Sequence, residues 1–79
     1  MIEIKEGDWV ECEGGFCLSA KVEKVFFDSF EASFFVKSIN GEKYISLGSF
    51  RWKKKRISHK IKNKKTINKL EESHDIVRA

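Results

Sequence analysis

The stretch from Arg51 to Lys65 holds the side chains best placed, by type and spacing, to do chemistry. Between Arg51 and Lys69 the chain carries ten basic side chains and no acid. An exposed Lys or Arg can displace a condensed counterion from a phosphate backbone, and an aromatic ring beside it can stack on an unpaired base. The candidate nucleic-acid-binding residues are therefore Arg51, Trp52, Lys53, Lys54, Lys55, Arg56, Lys60, Lys62, Lys64 and Lys65, with the cations giving affinity and little sequence choice. Extended backbone here sends Arg51, Lys53 and Lys55 to one side and Phe50, Trp52 and Lys54 to the other. Trp52 then has two uses open to it, as a stacking ring or, more simply, as part of a core that Phe50 or Trp52 seals.

The rest of the chain is charged the other way. Met1 to Phe50 has five basic against nine acidic side chains, a net of −4, and Arg51 to Ala79 has eleven against three, a net of +8. A mildly acidic body with a basic arm points to a polyanionic partner or an acidic protein surface. Unopposed cations repel one another and destabilise a compact state, so they call for a compensating use. Catalysis is not expected, because 79 residues leave little wall for a ligand cleft of about 300–1,000 Å³. Cys12 and Cys17 flank Glu13-Gly14-Gly15-Phe16 and read as reduced strand cysteines; with His59 and His74 far along the chain they make no metal set, and no cofactor is implied. No apolar run approaches the roughly 18 residues of a membrane span, and Met-Ile-Glu-Ile-Lys is not a signal h-region, so the expectation is a cytoplasmic protein without a membrane partner. The absence of Pro and the excess of Lys over Arg, thirteen to three, suit the AT-rich coding of a low-GC bacterium or its phage.

These side chains need a scaffold. Asn40-Gly41 favours a two-residue type I′ hairpin turn, which fixes the register Lys37–Tyr44, Val36–Ile45, Phe35–Ser46 and Phe34–Leu47. Upstream, a loop Phe27-Asp28-Ser29 would pair Phe26 with Phe30, Val22 with Phe34 and Ala20 with Val36, leaving Lys24 inward unless a bulge turns it out. Trp9-Val10-Glu11-Cys12-Glu13 alternates as a first strand, Gly48-Ser49 marks the end of a fourth, and Phe50-Arg51-Trp52 with Arg56-Ile57 supplies a short fifth. Seven Phe, Trp9 and Tyr44 are available to fill a core made by about 55 residues, near the lower limit for independent folding.

Glu6-Gly7-Asp8-Trp9-Val10 resembles the "G-D-x-V" opening of the first strand in Src-homology-3-like small barrels, Tudor and KOW-type modules included. Ala20-Lys21-Val22-Glu23-Lys24-Val25 resembles their second strand, and the Asn-Gly hairpin agrees. The resemblance covers roughly residues 5–57 and implies a mainly β fold, a small five-stranded antiparallel Src-homology-3-like barrel. It carries over no ligand, since the chain lacks both an Ala-Leu-Tyr-Asp-Tyr-type segment and a cluster of cage aromatics.

The expected division is a barrel over 1–57 and, over 58–79, a basic arm bearing a short helix at 67–78. Ile67, Leu70, His74 and Val77 form its apolar stripe, and Asn68 with Glu71 would cap it. A helix of about 12 residues is marginal alone, so it docks on the barrel, pairs with a second copy as a homodimer, or orders on a partner. The leading function is a non-enzymatic nucleic-acid-binding module. The alternative is a small protein-interaction module, a phage-encoded effector that binds a host protein through an exposed Phe35–Tyr44 face or through Ile67, Leu70 and Val77. Peripheral membrane attachment through Ile57 and Ile61 has too few apolar anchors.

Overall fold

The computed structural model describes residues 3–13, 17–38 and 43–78, with side chains for all but Cys17 and 75–78. Strands β1 (Trp9–Glu13), β2 (Cys17–Val25), β3 (Ser29–Lys37), β4 (Tyr44–Lys53) and β5 (Ile57–Lys60) are followed by helix α1 (Lys64–Arg78), and a 3₁₀ turn, Lys54–Arg56, joins β4 to β5. The protein is mainly β: one antiparallel five-stranded sheet in the order β4-β3-β2-β1-β5, plus the C-terminal helix. Before β1, Gly7 adopts φ +91°, a left-handed conformation that glycine enters without strain. Its N–H donates to the Val22 carbonyl (2.8 Å), which anchors the chain to β2.

Strand alternation sorts the side chains into two layers. On one face Val10, Cys12, Leu18, Ala20, Val22, Phe30, Ala32, Phe34 and Ile57 form the larger core, with Val36 and Trp52 packed against it. On the other face Trp9 and Phe35 are buried under Leu70 of α1, with Tyr44, Ile61 and Ile67 around them. Neighbouring residues of an extended strand point to opposite faces, so the burial of both Phe34 and Phe35 requires cover on both sides.

The sheet register both follows and departs from the expected one. Lys37–Tyr44, Val36–Ile45 and Phe35–Ser46 pair as predicted, although the Asn40-Gly41 turn itself lies outside the described residues. Past Phe35 the register shifts, and Phe34 meets Gly48 rather than Leu47. Gly48 does not end the fourth strand. With φ +97° it bends β4, which continues to Lys53, and the fifth strand is Ile57–Lys60 rather than a piece of 50–52.

Between β2 and β3 the Phe26 N–H donates to the Ser29 carbonyl (2.9 Å), so the connection is Phe27-Asp28, one residue shorter than expected. Val25 therefore pairs with Phe30, Val22 with Ala32, and Ala20 with Phe34. The bulge that Lys24 demands is present: the register slips between Val22 and Lys24, placing Lys24 opposite Glu31 and leaving it exposed.

The helix begins at Lys64, earlier than expected, because Asn63 and not Asn68 caps it. The Asn63 Oδ1 accepts the N–H groups of Lys65 (2.9 Å) and Thr66 (3.2 Å). Ile67, Leu70 and His74 face the sheet as one stripe, with Leu70 wholly buried and the His74 ring edge-on to Trp9 and Phe35. Glu71 bolts helix to sheet by accepting from Trp9 Nε1 (2.6 Å) and Lys21 Nζ (2.8 Å). Burial pushes the Glu71 carboxyl up, but the Lys21 and Trp9 hydrogen bonds, the Lys21 charge and His74 outweigh it and hold the group below its ordinary value.

Two predictions follow from this clamp. Leu70→Ala empties a sealed site and should lower unfolding stability by about 2–5 kcal/mol in urea melts, whereas Ile45→Ala on the exposed strand edge should cost under about 1 kcal/mol. A depressed carboxyl stabilises the fold above the unfolded glutamate value of about 4.3 and loses that contribution as pH falls through the folded value. Wild type should therefore exceed Glu71→Gln in stability at neutral pH, with the gap in denaturation midpoint closing below about pH 4.

Candidate nucleic-acid interface

The β2–β3 connection and the end of β4 are stitched into one surface. The Lys54 N–H donates to the Asp28 carbonyl (3.0 Å), Lys54 Nζ to the Phe27 carbonyl (3.1 Å), and Lys53 Nζ to Asp28 Oδ2 (2.8 Å). Arg51 Nε donates to the Oγ of buried Ser29 (3.0 Å), and its guanidinium carbon lies over the Phe26 ring, 3.9 Å from the centroid. Lys24 Nζ approaches the same ring from 5.7 Å, and the Arg56 guanidinium lies 5.0 Å from the Trp52 centroid. Cations and aromatic rings thus alternate here, around a shallow recess of about 270 Å³ lined by Asp28, Ser29, Arg51, Trp52 and Lys53.

The expected alternation holds as far as Lys53. Arg51 and Lys53 share the face of Glu31 and Ser29, while Phe50 and Trp52 share the face of Ala32 and Phe30. The 3₁₀ turn then ends it, because Lys54 turns back toward Phe27 rather than continuing in line. Trp52 has a foot in each of its two uses: its ring packs on Phe34 at 4.6 Å between centroids, yet it is only partly buried. Phe50 seals less than expected, with half its surface exposed.

The other candidate cations sit elsewhere in the fold. Lys60 Nζ pairs with Asp8 (3.2 Å) beside His59 Nε2, which faces Glu11 (3.0 Å). Lys62, Lys64 and Lys65 are exposed around the start of α1, whose first turn contains no acid to offset them. Among the described residues Lys55, Lys62, Lys64 and Lys65 make no ion pair. The basic run therefore divides into a cluster at 51–56 against the β2–β3 connection and a second at 60–65 leading into the helix.

For the alternative protein-contact residues the placement is different. Phe35, expected on an exposed face, has no exposed surface, because α1 covers it. Leu70 is likewise buried, Tyr44 and Ile67 are partly buried beside it, and the side chain of Val77 lies outside the described set. Lys24, Phe26 and Phe27 were not among the sequence candidates. The signal that could have found the two rings is the Phe-Phe pair at the turn, with Phe27 inside it where Gly, Asn, Asp or Pro is usual.

The Asp28 carboxyl is held below its ordinary value by the hydrogen bond and charge of Lys53, but both side chains are well exposed, and such a pair is readily exchanged for another partner. Cys12 offers no nucleophile. Burial, with Glu11 adding to it, pushes its thiol up to about 12. Comparison with protein-family models, with curated proteins and with solved structures finds no match.

In a Cys17→Ser protein, Cys12 should resist a thiol reagent at about pH 8 in native buffer and react promptly on denaturation. Prompt native-state labelling would contradict the packing of β1.

Proposed function

We propose that this chain is a non-enzymatic nucleic-acid-binding module built on a small Src-homology-3-like β fold. The observation that carries the reading is the placing of Lys24 and Arg51 at Phe26 and of Arg56 at Trp52, with Lys53 and Lys54 tied to the β2–β3 connection and Asp28 and Glu31 as near carboxylates. The strand order, with β5 beside β1 after a 3₁₀ turn, supports the fold resemblance. In this mechanism phosphates replace the Asp28 carboxylate and the Phe27 carbonyl as partners of Lys53 and Lys54, and Lys55 and Arg56 extend the track. Such contacts neutralise backbone charge without reading bases, so sequence preference is weak. Lys64 and Lys65 add positive charge at the helix end that is already positive, an unfavourable arrangement unless an anion is near.

A second reading, a protein-interaction module, is favoured by one observation. Edge strand β4 has no charged side chain from Tyr44 to Phe50 and exposes Ile45, Leu47 and Phe50, a suitable edge for strand addition by a partner. Leu47→Lys should abolish capture of a protein partner and leave oligonucleotide binding unchanged if this reading holds.

The nucleic-acid reading is tested by fluorescence anisotropy over a salt series. With about five phosphate contacts the slope of log K against log salt should be about −4 to −5 on a duplex and about −3.5 on a single strand, and the triple Glu variant at Lys53, Lys54 and Lys55 should bind all sequences more weakly, with a slope shallower by about 2 to 2.7. Asp28→Asn should bind more tightly than wild type by removing the internal competitor. Absence of binding at about 50 mM salt would overturn the proposal.

A further inference from the structure

Phe27 has 97% of its surface exposed, more than any other large apolar side chain among the described residues. A phenyl ring fully in water forfeits the burial that a Phe normally gains, and a two-residue connection would accept Gly, Asn or Asp more readily. Nothing in the fold needs Phe at this position, since its ring packs on neither core cluster. Yet the backbone beneath it is fixed. The Phe26–Ser29 hydrogen bond closes the turn, and Lys54 holds it from the side through the carbonyls of Phe27 and Asp28.

A solvated ring on a fixed backbone, in a turn that Lys53 and Lys54 both contact, matches the two parts of a single-strand site, an aromatic platform for the base and cations for the flanking phosphates. We propose, on the basis of the nucleic-acid reading above, that Phe27 stacks on an unpaired base and that the ligand is single-stranded nucleic acid. In a duplex the base faces are already stacked on each other, so the ring would find no free face there. A lone exposed ring beside Asp28 is also a poor membrane anchor, since stable attachment needs a wider apolar face.

The test compares wild type, Phe27→Ala and Phe27→Trp against a labelled single strand of about 12 nucleotides and against the same sequence as duplex, at fixed salt. Phe27→Ala should weaken single-strand binding roughly 5- to 150-fold with no change in salt slope, because it removes a ring and no charge. Duplex affinity should hardly move. Phe27→Trp should restore binding, and its added indole emission should be quenched when the single strand binds. Equal single-strand affinities for wild type and Phe27→Ala would overturn the stacking proposal while leaving the nucleic-acid reading intact. A loss on duplex as large as on single strand would overturn it in favour of a wedge between base pairs. If Phe27→Ala loses only binding to anionic phosphatidylserine vesicles, the ring is a membrane contact and the proposal fails. No binding of wild type to either oligonucleotide would remove the nucleic-acid reading itself.

Discussion

Phe34 and Phe35 stand side by side in β3, point to opposite faces and are both removed from water. That constraint shapes the remainder of the molecule. A single sheet with two apolar faces must be covered twice, and the described residues contain one α-helix with which to do it. The larger core is closed mainly by the sheet's own side chains, with Ile4 added from the segment before β1, and the other by α1, whose Leu70 packs with Trp9 and Phe35. Glu71 adds direction to this apolar contact, since its carboxylate meets an indole N–H and an ammonium on neighbouring strands.

The docking of α1 also decides where charge is shown. The acidic body uses some of its carboxylates internally: Asp8 on Lys60, Glu11 on His59 and Asp28 on Lys53, while Glu71 from the arm is taken by Lys21. Of these the Asp28–Lys53 pair is well exposed on both sides and worth at most about 1 kcal/mol, so a phosphate can displace it at little cost. The cations left outward include those beside the aromatic rings at the β2–β3 connection and those at the start of α1. The arm is folded back on the body, yet its positive charge is only partly neutralised there.

Much of the scaffold was legible in the sequence, and the failures have local causes. The Asn-Gly register placed Tyr44, Ile45 and Ser46 correctly, because a two-residue turn leaves no freedom in pairing. It failed beyond Phe35 because Gly48 was read as a terminator, when positive φ inside a strand can equally mark a bulge that lets the strand continue. Lys24 was read well, since a cation cannot face an apolar core. The β2–β3 register departs from expectation because Phe27 is not a usual turn residue, and the true connection is one residue shorter than the sequence suggests. The candidate site was half visible. Cations at 51–56 follow from composition, but the rings that meet them come from a hairpin distant in sequence, and only the tertiary tie between Lys53, Lys54 and Asp28 brings them together. Burial of Phe35 was hidden for the same reason: the stripe on α1 announces that the helix needs an apolar face, without saying which.

Helix α1 is an integral layer of the fold rather than a loose appendage. Native-state amide hydrogen exchange measures this directly. Amides of residues 68–74 should exchange with free energies of opening comparable to those of β1 and β2, because Trp9 and Phe35 cannot stay dry without the helix. Exchange of those helix amides at unstructured-chain rates, while the strands remain protected, would contradict it.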